Sequence, residues 1–244
     1  MKILVVFKAI TRSWLRSRSG MLFSFLFPVA LLLVLGTIYG NSGSSNHMVG
    51  QDTASYYLPG LTAAFIMANG VIGLTRISSE LKRDGVLRRL SATPLTKLEW
   101  LLGTFLSQIV LAFALAAVML TLGVALYNAS GLVNVYSMVL LFLGALLFSG
   151  VGMSLAGLVK DPEVASGLGE AITYPMMLLS GTFWPIGSMP SYLQTVAQAL
   201  PLTYFADGLR NSMVSADLTD FVVVAIFALV LVLLGARFTP WNES

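Results

Sequence analysis

With 244 residues, 57% of them hydrophobic and only 10% charged, the chain is too apolar for a soluble globule, in which about a quarter of residues are charged. Its mean hydropathy of +0.84 and formal charge of +3 fit a multi-span membrane protein whose positive charge sorts by topology, and argue against a nucleic-acid binder. Zero cysteines exclude a disulfide framework, an iron–sulfur centre and a thiolate zinc site, and six apolar stretches of about 20 residues leave no room for a soluble catalytic domain.

The chain opens on MKILVVFKAITRSWLRSRSG, which is basic but lacks the short core and cleavage site of a secretory signal, so it is expected to stay attached. Ile3, Phe7, Ile10 and Trp14 recur at helical spacing opposite Lys8, Arg12 and Arg16, which predicts an amphipathic helix within 1–19 lying along the cytoplasmic interface. An ordinary positively charged flank is the alternative. The first span is Met21 to Tyr39, with Pro28 to kink it. Asn41 to Ser55 has no Lys or Arg and reads as an outer loop; its His47 has no Cys, His or carboxylate cluster beside it, so no metal site is expected.

Tyr56 to about Thr75 returns to the cytoplasm, and its Asn69 should face another helix or a cavity. Arg76 to Glu99 then carries Arg76, Lys82, Arg83, Arg88, Arg89 and Lys97 and reads as a cytoplasmic loop. Gly85 and Pro94 punctuate short helical pieces in which Leu87, Leu90 and Leu98 are spaced for one side, giving a docking surface more than a tether. Trp100 to Tyr127 crosses outward with Gln108 inside it, and Asn128 to Asn134 is an outer turn. The Gly- and Ser-rich run Val135 to Val159 suits a closely packed helix, and Lys160 follows it.

Asp161 and Pro162 read as the N-cap and first residue of a helix running to Phe183, favoured by Glu163 near its positive end. Glu170, about two turns inside, is a candidate for a substrate or coupling role, with simple headgroup depth as the alternative. Pro185, Pro190 and Pro201 then break 183–217 into pieces too short to span, which predicts a re-entrant or outer-leaflet hairpin, with Leu193, Val196, Ala197 and Leu200 on one face. Phe221 to Phe238 is the last span.

With both termini inside, every Lys and Arg except Arg210 falls on the cytoplasmic side. The expected architecture is therefore one all-α integral membrane domain over 1–244, with six spans, an interfacial N-terminal helix and a broken hairpin before the last span. There is no G-x-x-x-x-G-K-[ST] phosphate loop, no H-E-x-x-H and no nucleophile with a histidine base, so no catalytic residue is expected and any energy must come from elsewhere.

ELKRDGVLRRLSATPLTKLEWLLG resembles the cytoplasmic loop of type-2 ABC exporter permeases, with Glu80, Arg83, Gly85, Leu90, Pro94 and Glu99 at the matching positions. GTFWPIGSMPSYLQTVAQALPLTYFADGLR is similar to the same family's outer hairpin, through Gly181, Pro185, Pro190, Leu193, Pro201, Asp207, Gly208 and Arg210. The resemblance implies a permease in the cell membrane that pairs with a second copy of itself as a homodimer and rests on two cytoplasmic ABC ATPase subunits. ATP and Mg would sit on those partners, and this chain would carry no cofactor. Glu80 to Ser91 would form the coupling helix. A self-sufficient secondary transporter or channel is the competing function, but it calls for paired mid-membrane charges or an inverted repeat.

Overall fold

The computed structural model describes residues 2–16, 22–40, 53–127, 134–159, 161–212 and 218–239. Arg18, His47, Asn128, Lys160 and Trp241 lie outside them, as do most of the first outer loop and the end of the expected hairpin, 213–217. The described residues contain helices and no strand: α1 (Lys2–Arg16), α2 (Phe27–Gly40), α3 (Thr53–Ala68), α4 (Leu74–Arg83), α5 (Val86–Ser91), α6 (Lys97–Tyr127), α7 (Val135–Leu158), α8 (Pro162–Leu179), α9 (Ser191–Ala199), α10 (Pro201–Asn211) and α11 (Leu218–Phe238). A π-turn over Leu22–Leu26 leads into α2, and a second, over Asn69–Gly73, joins α3 to α4.

Among the described residues, four helices are long and apolar enough to cross a membrane: Tyr56–Arg83, Lys97–Leu126, Val135–Leu158 and Leu218–Phe238. The first of these is the central rod, with 78% of its apolar window buried by the rest of the chain, against 17% for Leu218–Phe238. Ahead of them, Ser24–Leu35 is a shorter apolar helix. Pro28 offers no N–H to the carbonyl of Ser24, and the backbone just before it is wound as the first π-turn. In α8, Asp161 Oδ1 accepts from the N–H groups of Glu163 (2.8 Å) and Val164 (3.4 Å) with Pro162 as first residue, the N-cap expected from the sequence.

The rod does not stop near Thr75. At about 1.5 Å per residue, its 28 residues reach about 42 Å against about 30 Å of hydrocarbon, so one end projects beyond the bilayer core. Arg76, Lys82 and Arg83 therefore belong to the projecting helix α4, and the non-helical part of the loop begins only at Asp84.

Two cores hold these elements. The larger joins Leu58, Leu61 and Met67 of α3 to Leu115 and Met119 of α6, Leu147 and Phe148 of α7, and Leu202 and Phe205 of α10. The second lies at the projecting end and joins Val6 and Ile10 of α1, Leu74 of α4, Leu87 of α5, Trp100, Leu101 and Phe105 of α6, and Met153 of α7. Along α1 the buried stripe is Val6, Ile10 and Trp14, one position away from the expected Ile3 and Phe7, which are only half-buried.

The proline-broken stretch is three short pieces: a 3₁₀ turn at Ile186–Ser188, α9 and α10. Each begins at a proline, Pro185, Pro190 or Pro201, because a ring that fixes φ and lacks an N–H suits a helix start. Of the expected face on α9 only Ala197 is buried. Val196 is 44% exposed, because α9 touches α8 and α10 along a narrow line.

Candidate functional site

The charged loop is built as a rigid corner. α4 ends at Arg83, Asp84 closes the turn by donating to the carbonyl of Glu80 (2.9 Å), and Gly85 sits at φ +66°, where a side chain would be strained. That left-handed residue divides Glu80–Ser91, so the expected single coupling helix is two: the last turn of α4 and the six-residue α5. Leu87 is buried and Leu90 half-buried on the second core, while Leu98 is 68% exposed. Pro94 restarts the chain in a new direction, so helical spacing cannot carry from Leu90 to Leu98.

The basic residues divide into two sets. Arg76 pairs with Glu80 (3.0 Å), Arg83 with Asp84 (3.1 Å), and Arg89 donates to the Asp84 carbonyl (3.1 Å). Lys82 turns inward and donates to the carbonyls of Gly157 (3.3 Å) and Val159 (3.4 Å), neutralising the negative end of α7. Arg88 is exposed and carries no ion pair among the described residues. The corner closes on a capping box: Thr96 Oγ1 accepts from the N–H of Glu99 (3.2 Å) and Glu99 Oε2 accepts from the N–H of Thr96 (2.8 Å), opening α6. Lys2 ties α1 to the same corner, donating to the Pro94 carbonyl with its ammonium 3.8 Å from Glu99.

Midway along the rod, Asn69 accepts from Ser24 Oγ (2.5 Å) and donates to the Phe65 carbonyl (3.0 Å), so one hydrogen bond joins the two π-turns. Asn69, Gln108 and Ser149 line a small cavity between α3, α6 and α7 with room for about one water molecule. Glu170 is not part of it: it is exposed on α8 beside Leu168, Ala171 and Ile172.

At the opposite end of the rod from the corner, Arg210 is 8% exposed and every edge of its guanidinium is engaged. It pairs with Asp207 (2.7 Å), donates through Nε to the Tyr56 carbonyl (3.2 Å) and through Nη2 to the Gly181 carbonyl (2.8 Å), and lies 4.0 Å over the Tyr56 ring. The Tyr56 hydroxyl donates to the same Gly181 carbonyl (2.6 Å). Asp207 and Arg210 are thereby brought together with the rod, whereas Pro185 and Pro190 act only as helix starts. Among the described residues no group of His, Cys, Asp and Glu could hold a metal ion.

Residues 1–214 match the family described as ABC-2 type transporter. The chain belongs to the ABC-2 type transporter family. A daunorubicin resistance ABC transporter permease protein (DrrB1) from Streptomyces coeruleorubidus is 25% identical over 191 residues, 77% of this chain and 66% of the relative. A linearmycin resistance permease protein (LnrN) from Bacillus subtilis is 27% identical over 171 residues, 70% of this chain and 44% of the relative. A probable multidrug ABC transporter permease (YbhR) from Escherichia coli is 27% identical over 160 residues, 64% of this chain and 43% of the relative. The chain thus spans less than two thirds of the length of each.

In this ABC-2 type transporter chain the sequence reading missed Lys2, Ser24 and Tyr56, each the distant partner of a residue it had singled out. Only the Thr96–Glu99 capping box carried a local signal, T-x-x-E ahead of an apolar run. Leu87 is the loop's main anchor. Leu87→Ala is expected to cost about 2–4 kcal/mol of local stability and to raise amide exchange across 84–95 while leaving the rod protected. Unchanged exchange there would mean that the corner is held by something other than this side chain.

Proposed function

We propose that this chain is the permease of an ATP-driven exporter in the cell membrane, moving substrate outward while a separate cytoplasmic subunit hydrolyses ATP. In this reading the chain crosses six times, α2 and α8 supplying the crossings beyond the four long helices, with both termini cytoplasmic and 183–217 forming a re-entrant outer hairpin. Two copies pair, each on one ATPase subunit that binds ATP and Mg. Glu170 faces the pathway between them, with Asn69 and Gln108 as the polar points behind it. Relatives named for resistance to daunorubicin and to linearmycin support an export direction.

The observation that carries the reading is the rod Tyr56–Arg83. One end of it runs into a corner clamped to the second core, and its other end is gripped by Arg210. A push on the corner moves a packed body, so a displacement by the ATPase reaches the far end as a rigid-body shift. The second π-turn, at Asn69–Gly73, is the place where the rod would bend.

Arg88→Glu with Arg89→Glu tests the corner. ATP-dependent efflux is expected to fall at least about tenfold, since like charge across an interface costs several kcal/mol, with membrane insertion and chain pairing intact. Normal efflux from the double variant would remove the corner from the mechanism. Co-purification of no ATPase with the wild-type chain would remove the exporter reading as a whole.

A further inference from the structure

The projecting end of the molecule carries a groove between α1 and the loop assigned to the ATPase contact. It encloses about 450 Å³ between α1, the end of α4, α5 and the start of α6, over a floor that includes Trp100, and its walls are almost wholly apolar: Val5, Ala9, Ile77, Leu81 and Leu90. Filling it with water would leave those walls hydrated; filling it with hydrocarbon would not. On the measure that gives the Asn69 cavity about 10 Å³ and one water, this groove at about 450 Å³ has ample room for a hydrocarbon chain.

The rim of the groove has a charge pattern. The residues that α1 gives to it are Lys2, Val5, Ala9 and Ser13 along one edge, beside the buried Val6 and Ile10. Three positions after Val5, Ala9 and Ser13 stand Lys8, Arg12 and Arg16, so each sits about 5–6 Å across the helix surface from a groove residue. All three are exposed, and none has a salt-bridge partner among the described residues. An apolar slot edged by an unpaired cationic row on an amphipathic helix matches a ligand with a hydrocarbon tail and an anionic head.

We infer that this groove binds one acyl chain of an anionic phospholipid, whose headgroup sits on Lys8, Arg12 and Arg16. The inference rests on the proposed placement of α1 at the cytoplasmic interface. The bound lipid fills the space between α1 and the corner, so it ties the loop that meets the ATPase to the membrane itself.

The full chain with Trp14→Phe, Trp184→Phe and Trp241→Phe keeps Trp100 as its only tryptophan. It is reconstituted in phosphatidylcholine vesicles containing brominated phosphatidylglycerol or brominated phosphatidylcholine. Quenching of Trp100 by the anionic lipid is expected at more than about tenfold lower lipid fraction, from roughly fivefold for each basic residue near the headgroup. Ala9→Phe should abolish that quenching, and Lys8→Gln with Arg12→Gln and Arg16→Gln should make the two lipids equal. Should the tryptophan variants fail to fold, native mass spectrometry of the wild-type chain is expected to retain one phosphatidylglycerol, lost with Ala9→Phe. Equal quenching by both lipids in the parent, or quenching and retention indifferent to Ala9→Phe, overturns the inference. If Ala9→Phe instead releases a co-purifying ATPase without changing lipid binding, the groove is a protein dock, and the lipid site falls while the exporter reading stands. Lipid-specific quenching with no co-purifying ATPase would do the reverse.

Discussion

Replacing Arg210 with methionine is expected to unpin the proline-broken segment from the rod, at a cost of about 3 kcal/mol or more. Met keeps the unbranched apolar stem of the side chain but donates to neither the Tyr56 nor the Gly181 carbonyl, and it leaves Asp207 without its cation. Breaking a buried ion pair from one side costs about 3–5 kcal/mol, and the partial exposure of Asp207 puts this case at the lower end. Arg210→Lys should recover only part of the loss, since an ammonium cannot reproduce the fork that spans two carbonyls and a carboxylate. The chain has no native cysteine, so one introduced at the fully buried Thr182 reports directly on this end of the molecule. Thiol labelling at 182 is expected to be slow in the parent and at least about tenfold faster with Arg210→Met, as a local loss of more than 1.4 kcal/mol requires. Equal rates would show that Arg210 does not hold the segment in place.

A second large effect is expected at Gly152, where α7 crosses the second π-turn. A β-carbon there would lie 2.2 Å from the Gly70 carbonyl oxygen and 3.0 Å from that of Val71, and neither backbone atom can swing away as a side chain could. The contact is further fixed by Thr75, whose hydroxyl reaches the carbonyls of Val71 and Gly152. Gly152→Ala is expected to force the helices apart at about 2–3 kcal/mol, the ordinary scale of overpacking. At roughly 2–4 °C per kcal/mol for a chain of this size, the thermal midpoint in detergent should drop by about 5–10 °C. Gly167→Ala on α8 is the control, because nothing lies within 4 Å of the added carbon. A midpoint for Gly152→Ala that matches this control would mean that the close crossing is absent in the detergent-solubilised protein.

These two sites differ in how far they could be read from the chain. That Val135 to Val159 packs closely was legible from its small residues, because only they let backbones touch. Which helix it touches was not, since apolar spans look alike on all sides and helical periodicity in them is nearly flat. At Arg210 the residue stood out as the lone basic group away from the cytoplasmic side, but its partner Tyr56 is 154 positions distant. Asn69 was recognisable as a polar group needing a bond, and Ser24 as its donor was not. In the loop, the break at Asp84–Gly85 was legible, since Gly85 was read as punctuating short helical pieces. The assignment of Leu98 to the Leu87 side failed because one helical register was carried across Pro94.

The amino-acid order alone determined the solvent this chain needs, the helical class, the family resemblance, the proline-started pieces and the helix cap at 161–164. All of these depend on composition or on interactions within a few residues, where chain connectivity already supplies the neighbour. The tertiary structure alone decided that the second span runs on to Arg83, that Lys82 closes α7 in place of facing outward, that α1 and the loop share one core, and that Arg210 grips the far end of the same rod. Each of those is a meeting of groups brought together by packing, and no local pattern encodes which of several equally apolar faces will be the one that meets.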